Sequence, residues 1–346
     1  YARTWGTNKI IIDSNGLNYQ GDADTLTVEY TTSGETLNIV YSGATQGWIP
    51  IDDGAVVKAP TVLPTQKGIF AYGRDGSYVS MSNLINSSGV IASDVTGVGT
   101  GRNTLAAAGY GFDKAIFGYG FGPVSLTNLV NNSGVVASDT TGVGTARNSL
   151  AAATYGFDKA IFGYGVTSGQ VSMSNLVNNS GVVASDVSGV GTARGNPGAA
   201  GYGGDKAIFG YGDAAAGSVS LTNLVSNSGV VSADVTGVGT VRYSLAAASY
   251  GGDKAAFAYG VSNVDHSLKN LVSNTGVVSA DVTGVGTARS GLAASSYGGD
   301  KAAFAYGGSY VSMKNLMSNT GVISADVSGV GTARNYLAAA GYSQSA

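Results

Sequence analysis

Short apolar segments separated by Gly, Asn, Asp and Ser run along most of the chain. Residues 159–164 are typical, because an extended strand there would place Phe162 and Tyr164 on one face and Ile161 on the other. Gly and Asn in the intervening segments favour tight turns that join antiparallel strands. The pattern therefore predicts an all-β protein.

Two motifs recur along the chain. The motif Lys-x-x-Phe-x-Tyr-Gly begins at Lys67, Lys114, Lys159, Lys206, Lys254 and Lys301. The motif Gly-Val-Gly-Thr-x-Arg ends at Arg102, Arg147, Arg194, Arg242, Arg289 and Arg334. Successive units are 45 to 48 residues long, which is in the range of a β-propeller blade.

Each unit is predicted to form a four-stranded antiparallel sheet. In the third complete unit, strand A covers residues 149–155, strand B 159–164, strand C 171–177 and strand D 182–187. The repeat region begins with a strand B and ends with residues 337–342, a strand A that no strand B follows. We expect this last strand to complete the first blade, which gives a six-bladed β-propeller closed by the C-terminal strand.

The N-terminal part of the chain lies outside the repeat. Residues 9–12, 26–30 and 37–41 read as strands of a small β module that covers residues 1–50. A linker containing Pro60 and Pro64 is expected over residues 51–65, and the propeller over residues 66–346.

The repeated motifs resemble known families. The order R-x-x-L-A-A-A-x-Y-G and then K-A-I-F-G-Y-G resembles a kelch repeat, although Gly-Tyr-Gly replaces the usual Gly-Gly and the Trp of the outer strand is missing. Residues 33–48 resemble short β modules of tail-fibre proteins, and the tandem array is similar to virion structural proteins of tailed bacteriophages with marine or cyanobacterial hosts. The resemblance implies a non-enzymatic virion component, present in several copies as a homo-oligomer or multi-copy assembly. Its N-terminal module would bind other virion proteins, and its propeller would face a host-surface glycan or protein.

Composition excludes several classes of function. The chain has 18 basic and 21 acidic residues without a basic cluster, so we expect no nucleic-acid partner. No segment approaches the roughly 20 apolar residues of a membrane span, so no membrane insertion is expected. One His and no Cys exclude His triads and Cys-ligated zinc, and we expect no metal, no cofactor and no catalytic residue.

Two alternatives to the virion protein remain open. A secreted or cell-surface bacterial adhesin would carry a signal sequence or an anchor in its full-length gene. A carbohydrate-active propeller enzyme is a weaker alternative, because it would need acidic, His or Tyr residues that break the repeat near the axis.

Charged residues recur with the repeat. An Asp stands eight residues before each repeated Arg, at Asp94, Asp139, Asp186, Asp234, Asp281 and Asp326. Faithful repetition favours a structural role, in which an Asp–Arg pair or an Asp-capped turn ties each outer strand to the next blade. A ring of charge for a ligand or metal is the alternative.

The variation in unit length falls in the loop between strands B and C, which has three to six residues. In an up-and-down blade these BC loops share one face with the Arg-containing turns, and the N-terminal module is expected to attach on the opposite face. Variable loops on a rigid scaffold commonly form binding surfaces, unless they vary because nothing constrains them. The candidate binding residues in and beside these loops are Arg74, Asp75, Tyr78, Phe121, Gln170, Asp213, Asp265, His266 and Tyr310.

Overall fold

A computed structural model describes residues 4–21, 28–34, 36–52 and 65–345, and this part of the chain is all-β, without an α-helix. The chain divides into two compact units, Tyr1–Val62 and Leu63–Ala346.

The first unit contains two short hairpins. Strand β1 (Ile10–Ile12) pairs with β2 (Val28–Tyr30), and β3 (Asn38–Tyr41) pairs with β4 (Trp48–Asp52), all antiparallel. The Tyr41 and Trp48 rings lie 5.4 Å apart between their centroids. Strand β4 continues two residues into the segment predicted as a linker, because its register with β3 reaches Asp52 opposite Asn38. The rest of that predicted linker up to residue 64 lies outside the described residues.

The second unit consists of six small antiparallel sheets. Its strands are β5 (Lys67–Ala71), β6 (Ser82–Ile85), β7 (Ala106–Tyr110), β8 (Lys114–Gly120), β9 (Val124–Val130), β10 (Ala151–Tyr155), β11 (Lys159–Gly163), β12 (Ser174–Val177), β13 (Arg194–Gly195), β14 (Gly198–Tyr202), β15 (Lys206–Ala214), β16 (Gly217–Val225), β17 (Ala246–Tyr250), β18 (Lys254–Ala258), β19 (Lys269–Val272), β20 (Ala293–Tyr297), β21 (Lys301–Ala305), β22 (Lys314–Met317) and β23 (Ala338–Tyr342). In order, the sheets contain β23-β5-β6, β7-β8-β9, β10-β11-β12, β14-β15-β16 with β13, β17-β18-β19, and β20-β21-β22. The C-terminal strand β23 thus pairs with β5, from Tyr342 opposite Lys67 to Ala338 opposite Ala71.

The predicted fourth strand of each unit is not a regular strand. In the third sheet it is reduced to two isolated bridges, Val177 with Val183 and Ser174 with Val187, and the other five sheets show the same pattern. The side chain of Asn175 explains the interruption, because its amide nitrogen donates to the carbonyl of Ala184 at 3.0 Å, in the segment between the two bridges. This side-chain bond occupies a carbonyl that a regular ladder would otherwise use.

The core lies between neighbouring sheets, and here one sequence-based prediction was wrong. Phe162 packs against Tyr119 of the second sheet, whereas Tyr164 packs against Phe209 of the fourth, so the two rings face opposite neighbours. Strand β11 ends at Gly163, and Tyr164 has a φ of 64°, in the left-handed region, which breaks the alternation of a strand. A Cβ on Gly163 would lie 2.7 Å from the Phe209 ring, so an alanine here would require that ring to shift.

The turns between the first two strands of each sheet are connected by backbone hydrogen bonds. Each turn donates an N–H to the turn of the next sheet, over 2.7 to 2.9 Å. In the first sheet no turn joins β23 to β5, and Ser343 after β23 and Gln66 before β5 take its place. The donor–acceptor pairs are Ser343–Asp113, Gly111–Asp158, Gly156–Asp205, Gly203–Asp253, Gly251–Asp300 and Gly298–Gln66. The sixth sheet therefore donates to the first, and the series of hydrogen bonds forms a complete cycle.

Candidate functional site

A second cycle of hydrogen bonds lies at the opposite end of the sheets, where their first strands begin. It is formed by the second residue after each repeated Arg, and each member donates its N–H to the carbonyl of the preceding member over 2.7 to 3.1 Å. All six members have a positive φ, between 50° and 61°. They are Thr104, Ser149, Asn196, Ser244, Gly291 and Tyr336, and we call them the central ring.

The left-handed conformation costs a non-glycine residue roughly 1 kcal/mol, and five of the six ring members are not glycine. The cost is tolerated because every ring N–H and carbonyl is satisfied by its neighbours in the cycle. The side chains at these positions are therefore free to differ while the backbone is fixed.

The central ring surrounds an open cavity of about 80 Å³. Its walls are the six ring residues, and the residues that follow them add an aliphatic lining. The aliphatic residues are Leu105, Leu150, Pro197, Leu245, Leu292 and Leu337. This volume accommodates a few water molecules or one polar arm of a larger ligand. No charged side chain lines it among the described residues.

Within the described ranges, one polar atom in the cavity wall lacks a partner, as do two on residues that precede the wall. Ser244, a ring member that is 7% exposed, has no hydrogen-bond partner for its Oγ within the described part of the chain. The same holds for Oδ1 of Asn103 and of Asn335, which precede ring members. In contrast, Ser149 Oγ donates to Asn148 Oδ1 at 2.9 Å. Unpaired buried polar atoms are costly. Of these three, only Ser244 Oγ belongs to a residue of the cavity wall, so it is the one positioned to bind a ligand's hydroxyl or amide group.

The BC loops surround this cavity, because they bond to the residue that precedes each ring member. Phe121 donates its N–H to the carbonyl of Asn103 at 2.9 Å, and Arg74 donates to Asn335 at 2.9 Å. Further antiparallel bridges join Val166 to Asn148, Val261 to Tyr243 and Asp213 to Gly195. The loops and the Arg-containing turns thus lie at the same end of the sheets.

Three of the predicted binding residues lie together. The rings of Tyr78 and Phe121 are 5.6 Å apart between centroids, and the guanidinium carbon of Arg74 lies 6.0 Å from the Tyr78 centroid. Tyr78 is 47% exposed and Phe121 51% exposed. We call these three residues the aromatic platform.

The structure does not bring the other candidates into one cluster. Asp75 is exposed and accepts a hydrogen bond from the Ser77 N–H at 3.0 Å. His266 Nε2 lies 2.7 Å from Ser262 Oγ within its own loop. Gln170, Asp213, Asp265 and Tyr310 lie on four separate loops. Among the described residues there is also no group of three acidic or His residues that could hold a metal ion.

The repeated Asp residues contact a different Arg from the one that follows them in sequence. Asp186 lies 4.0 Å from Arg147 Nη1, whereas Arg194, eight residues after Asp186, faces Asp234 at 4.0 Å. Across the six sheets the pairs are Arg102–Asp139, Arg147–Asp186, Arg194–Asp234, Arg242–Asp281, Arg289–Asp326 and Arg334–Asp94, at 3.7 to 4.0 Å. Asp186 binds chiefly the Thr145 N–H and Oγ, at 3.0 and 2.6 Å, so it connects its own outer segment to the turn that enters the same sheet.

Each Arg is a buried link between neighbouring sheets. The Arg147 side chain is fully buried, with Nε donating to the Tyr164 carbonyl at 2.8 Å and Nη2 to Asn175 Oδ1 at 2.7 Å. Its guanidinium carbon lies 4.4 Å from the Tyr119 centroid on the preceding sheet. Burial raises the pKa of Tyr119, and in the five equivalent positions it raises the Tyr pKa to about 12. For Tyr164, for example, burial raises it to about 12 despite the opposing Arg charge.

The six Asp carboxylates are expected to lower the free energy of unfolding in acid. Burial raises the pKa of Asp186, but hydrogen bonds from Thr145 Oγ, Asn175 and the Thr145 N–H, with the charge of Arg147, outweigh it, so the pKa lies below its ordinary 3.8. A lowered folded-state pKa contributes stability that is present above the unfolded-state pKa and lost as pH falls through the folded-state value. We expect the free energy of unfolding in urea to be lower at pH 3 than at pH 7.

Replacing one carboxylate tests its structural role. We expect Asp186→Asn to lower the free energy of unfolding at pH 7 by about 1 kcal/mol and to lose less stability than the wild type between pH 7 and pH 3. A wild type that is equally stable at both pH values would contradict the first expectation. An Asp186→Asn variant of unchanged stability with impaired ligand binding would contradict the structural role.

The sequence interpretation missed the central ring. Within the repeat, the two residues that follow the Arg change from unit to unit: Asn-Thr, Asn-Ser, Gly-Asn, Tyr-Ser, Ser-Gly and Asn-Tyr. These residues stand at the start of the first strand of each sheet, inside an otherwise regular motif. Their variation is the signal that could have revealed a site where the first strands meet.

The structure has no helix long and apolar enough to cross a membrane in its described part. No family model matches the chain, and no curated protein is significantly similar to it. Among solved structures, the protein described as YjhT superposes with a TM-score of 0.54 at 12% sequence identity, over 69% of this chain and 87% of YjhT. At this identity the similarity concerns the fold alone, so the comparisons support an all-β architecture of repeated small antiparallel sheets.

Proposed function

We propose that residues 66–346 form a closed six-bladed β-propeller that serves as a non-enzymatic binding module. The closed ring is supported by the two cycles of backbone hydrogen bonds and by the pairing of β23 with β5. The first strands also contact one another in the order β23, β7, β10, β14, β17 and β20, and β20 contacts β23 again.

The distribution of variable residues carries the binding role. The buried Arg, Asn, Phe and Tyr side chains recur in every sheet, whereas the BC loops and the central ring differ between sheets. Both variable regions lie at one end, around the cavity. A rigid repeated scaffold that varies at one end is typical of a binding surface. The walls of the cavity offer hydroxyl, amide and aliphatic groups, which favour binding over acid–base chemistry.

We infer that the module is part of a tailed-bacteriophage particle, in a tail fibre or similar appendage, and attaches to the host surface. The inference rests on the resemblance of residues 33–48 and of the tandem array to virion proteins. Exposed apolar side chains on the first unit support its role in docking to other virion proteins: Ile11 is 55% exposed, Ile51 67% and Tyr41 46%. The proposal of several copies in the particle rests on the same resemblance.

Loop exchange tests host attachment. Shortening residues 166–170 to the Phe-Gly-Pro of residues 121–123 should reduce adsorption of the purified protein to marine or cyanobacterial host cells by about tenfold or more, because the attachment surface changes while the buried core does not. Incorporation into particles and the melting temperature should stay unchanged.

A matched control alters the opposite end of the sheets. Phe157→Gly introduces the residue that stands at the equivalent position 204, in a turn remote from the cavity, and should leave adsorption unchanged. Loss of incorporation by the loop variant, with unchanged adsorption of the free protein, would show that the cavity end docks to the particle instead.

A further inference from the structure

The aromatic platform and the cavity form one continuous surface. Phe121 bonds through its backbone to Asn103, and the next residue, Thr104, lines the cavity. On the other side of the platform, Arg74 exchanges two backbone hydrogen bonds with Asn335, each 2.9 Å long, and the next residue, Tyr336, lines the cavity. Through Phe121 and through Arg74, the aromatic platform is therefore bonded to a residue that directly precedes a member of the cavity wall.

Two exposed rings beside a polar cavity offer complementary chemistry. The rings provide an apolar, flat surface, and they are held tilted at 38° by mutual packing. The cavity provides the unpartnered Ser244 Oγ together with the polar side chains of Thr104, Ser149 and Asn196. A ligand that suits both parts must combine an apolar face with hydroxyl groups that donate hydrogen bonds.

We propose that this surface binds a neutral saccharide, which specifies the ligand class of the attachment function proposed above and rests on it. One sugar ring stacks on the aromatic platform through its C–H face, and a hydroxyl-bearing group of the neighbouring unit enters the cavity. There it exchanges a hydrogen bond with Ser244 Oγ, in a wall that also carries the side-chain amide of Asn196.

The charge of the surrounding loops favours a neutral saccharide over an anionic one. The six BC loops contain one cation, Arg74, against three carboxylates, Asp75, Asp213 and Asp265. The cavity itself is lined by uncharged side chains. An anionic sugar would meet net negative charge and find no cation inside the cavity, so its binding is disfavoured.

Affinity electrophoresis of the full chain tests the proposal, with dextran, mannan, galactan or the anionic polygalacturonate in the gel. We expect at least one neutral polysaccharide to retard the protein and polygalacturonate not to. Phe121→Ala should weaken the retarding interaction by about tenfold, because it removes half of the platform. Ser244→Ala should weaken it about threefold by removing one hydrogen bond.

A matched control uses an equally exposed aromatic residue at the far end of the sheets. Phe157 is 48% exposed, and Phe157→Ala should bind like the wild type. Melting temperatures measured in parallel show that each variant is folded. The proposal is overturned if no neutral polysaccharide retards the wild type, if polygalacturonate retards it more strongly, or if Phe121→Ala and Phe157→Ala lose equal affinity.

The outcome also separates this proposal from host attachment. Adsorption to cells without retardation by any neutral polysaccharide would refute the saccharide and leave attachment standing. Retardation that Phe121→Ala abolishes, without adsorption to any host cell, would support the saccharide and refute attachment.

Discussion

Deletion of residues 335–346 is expected to unfold most of the second unit. It removes β23, which supplies the first strand of the sheet that also contains β5 and β6. Leu337 and Tyr342, both at least 95% buried, are removed from the core. The burial of each side chain stabilises the fold by roughly 1.5 to 3 kcal/mol. The backbone of β5 also loses its partner, which exposes an unpaired edge.

The total loss is on the order of 5 to 10 kcal/mol, comparable with the whole stability of an ordinary domain. We expect differential scanning calorimetry to show a melting temperature lower by at least about 10 to 20 °C, or no cooperative transition. Deletion of residues 344–346 is the matched control, because it retains β23 and the Ser343 N–H bond to the Asp113 carbonyl. If the longer deletion melted like the full chain, closure by the C-terminal strand would be wrong.

Replacement of a buried Arg is expected to have the second largest effect. Arg147→Met keeps most of the side-chain volume but removes the donors to the Tyr164 carbonyl and to Asn175 Oδ1. Both acceptors then remain buried without partners, and the contact with the Tyr119 ring is lost. Breaking such a buried polar link lowers the free energy of unfolding by about 3 to 5 kcal/mol, because the buried acceptors remain shielded from water without a hydrogen bond to compensate.

Equilibrium unfolding in urea measures this loss as a lower midpoint at an unchanged slope. Arg74→Met is the matched control, since Arg74 is exposed and the chemical change is the same. It should alter the free energy of unfolding by less than about 0.5 kcal/mol. Equal effects of the two substitutions would show that the buried Arg does not stabilise the contact between sheets.

The sequence alone predicted the repeat, the second and third strands of each unit and the pairing of the last strand with β5. These features depend on local information. Turn residues mark the ends of each strand, and apolar residues fill it. Because the repeat region starts with a second strand and ends with a first strand, these two strands are expected to pair with each other. The residues of the aromatic platform could be selected from the sequence, because variation in loop length marks the loops that carry Arg74, Tyr78 and Phe121.

The sequence interpretation placed the Tyr side chains on the wrong face and predicted regular fourth strands where the structure has isolated bridges. Strict alternation assumes that every residue keeps an extended backbone, and Tyr164 leaves it with a φ of 64°. Likewise, the amide of Asn175 binds the Ala184 carbonyl and interrupts the outer ladder. Both deviations depend on side chains that fit only against a neighbouring sheet or segment, so local propensity gives no sign of them.

The sequence by itself determined that this protein is built from six similar all-β units, because turn residues bound each strand and apolar residues fill it. Only the tertiary structure decided that Asp186 binds Arg147 rather than Arg194, and that Thr104, Ser149, Asn196, Ser244, Gly291 and Tyr336 meet around one cavity. These contacts join residues that lie about one unit or more apart in the chain. Which residues meet is fixed by the rotation from each sheet to the next, and the sequence of a single unit does not encode that rotation.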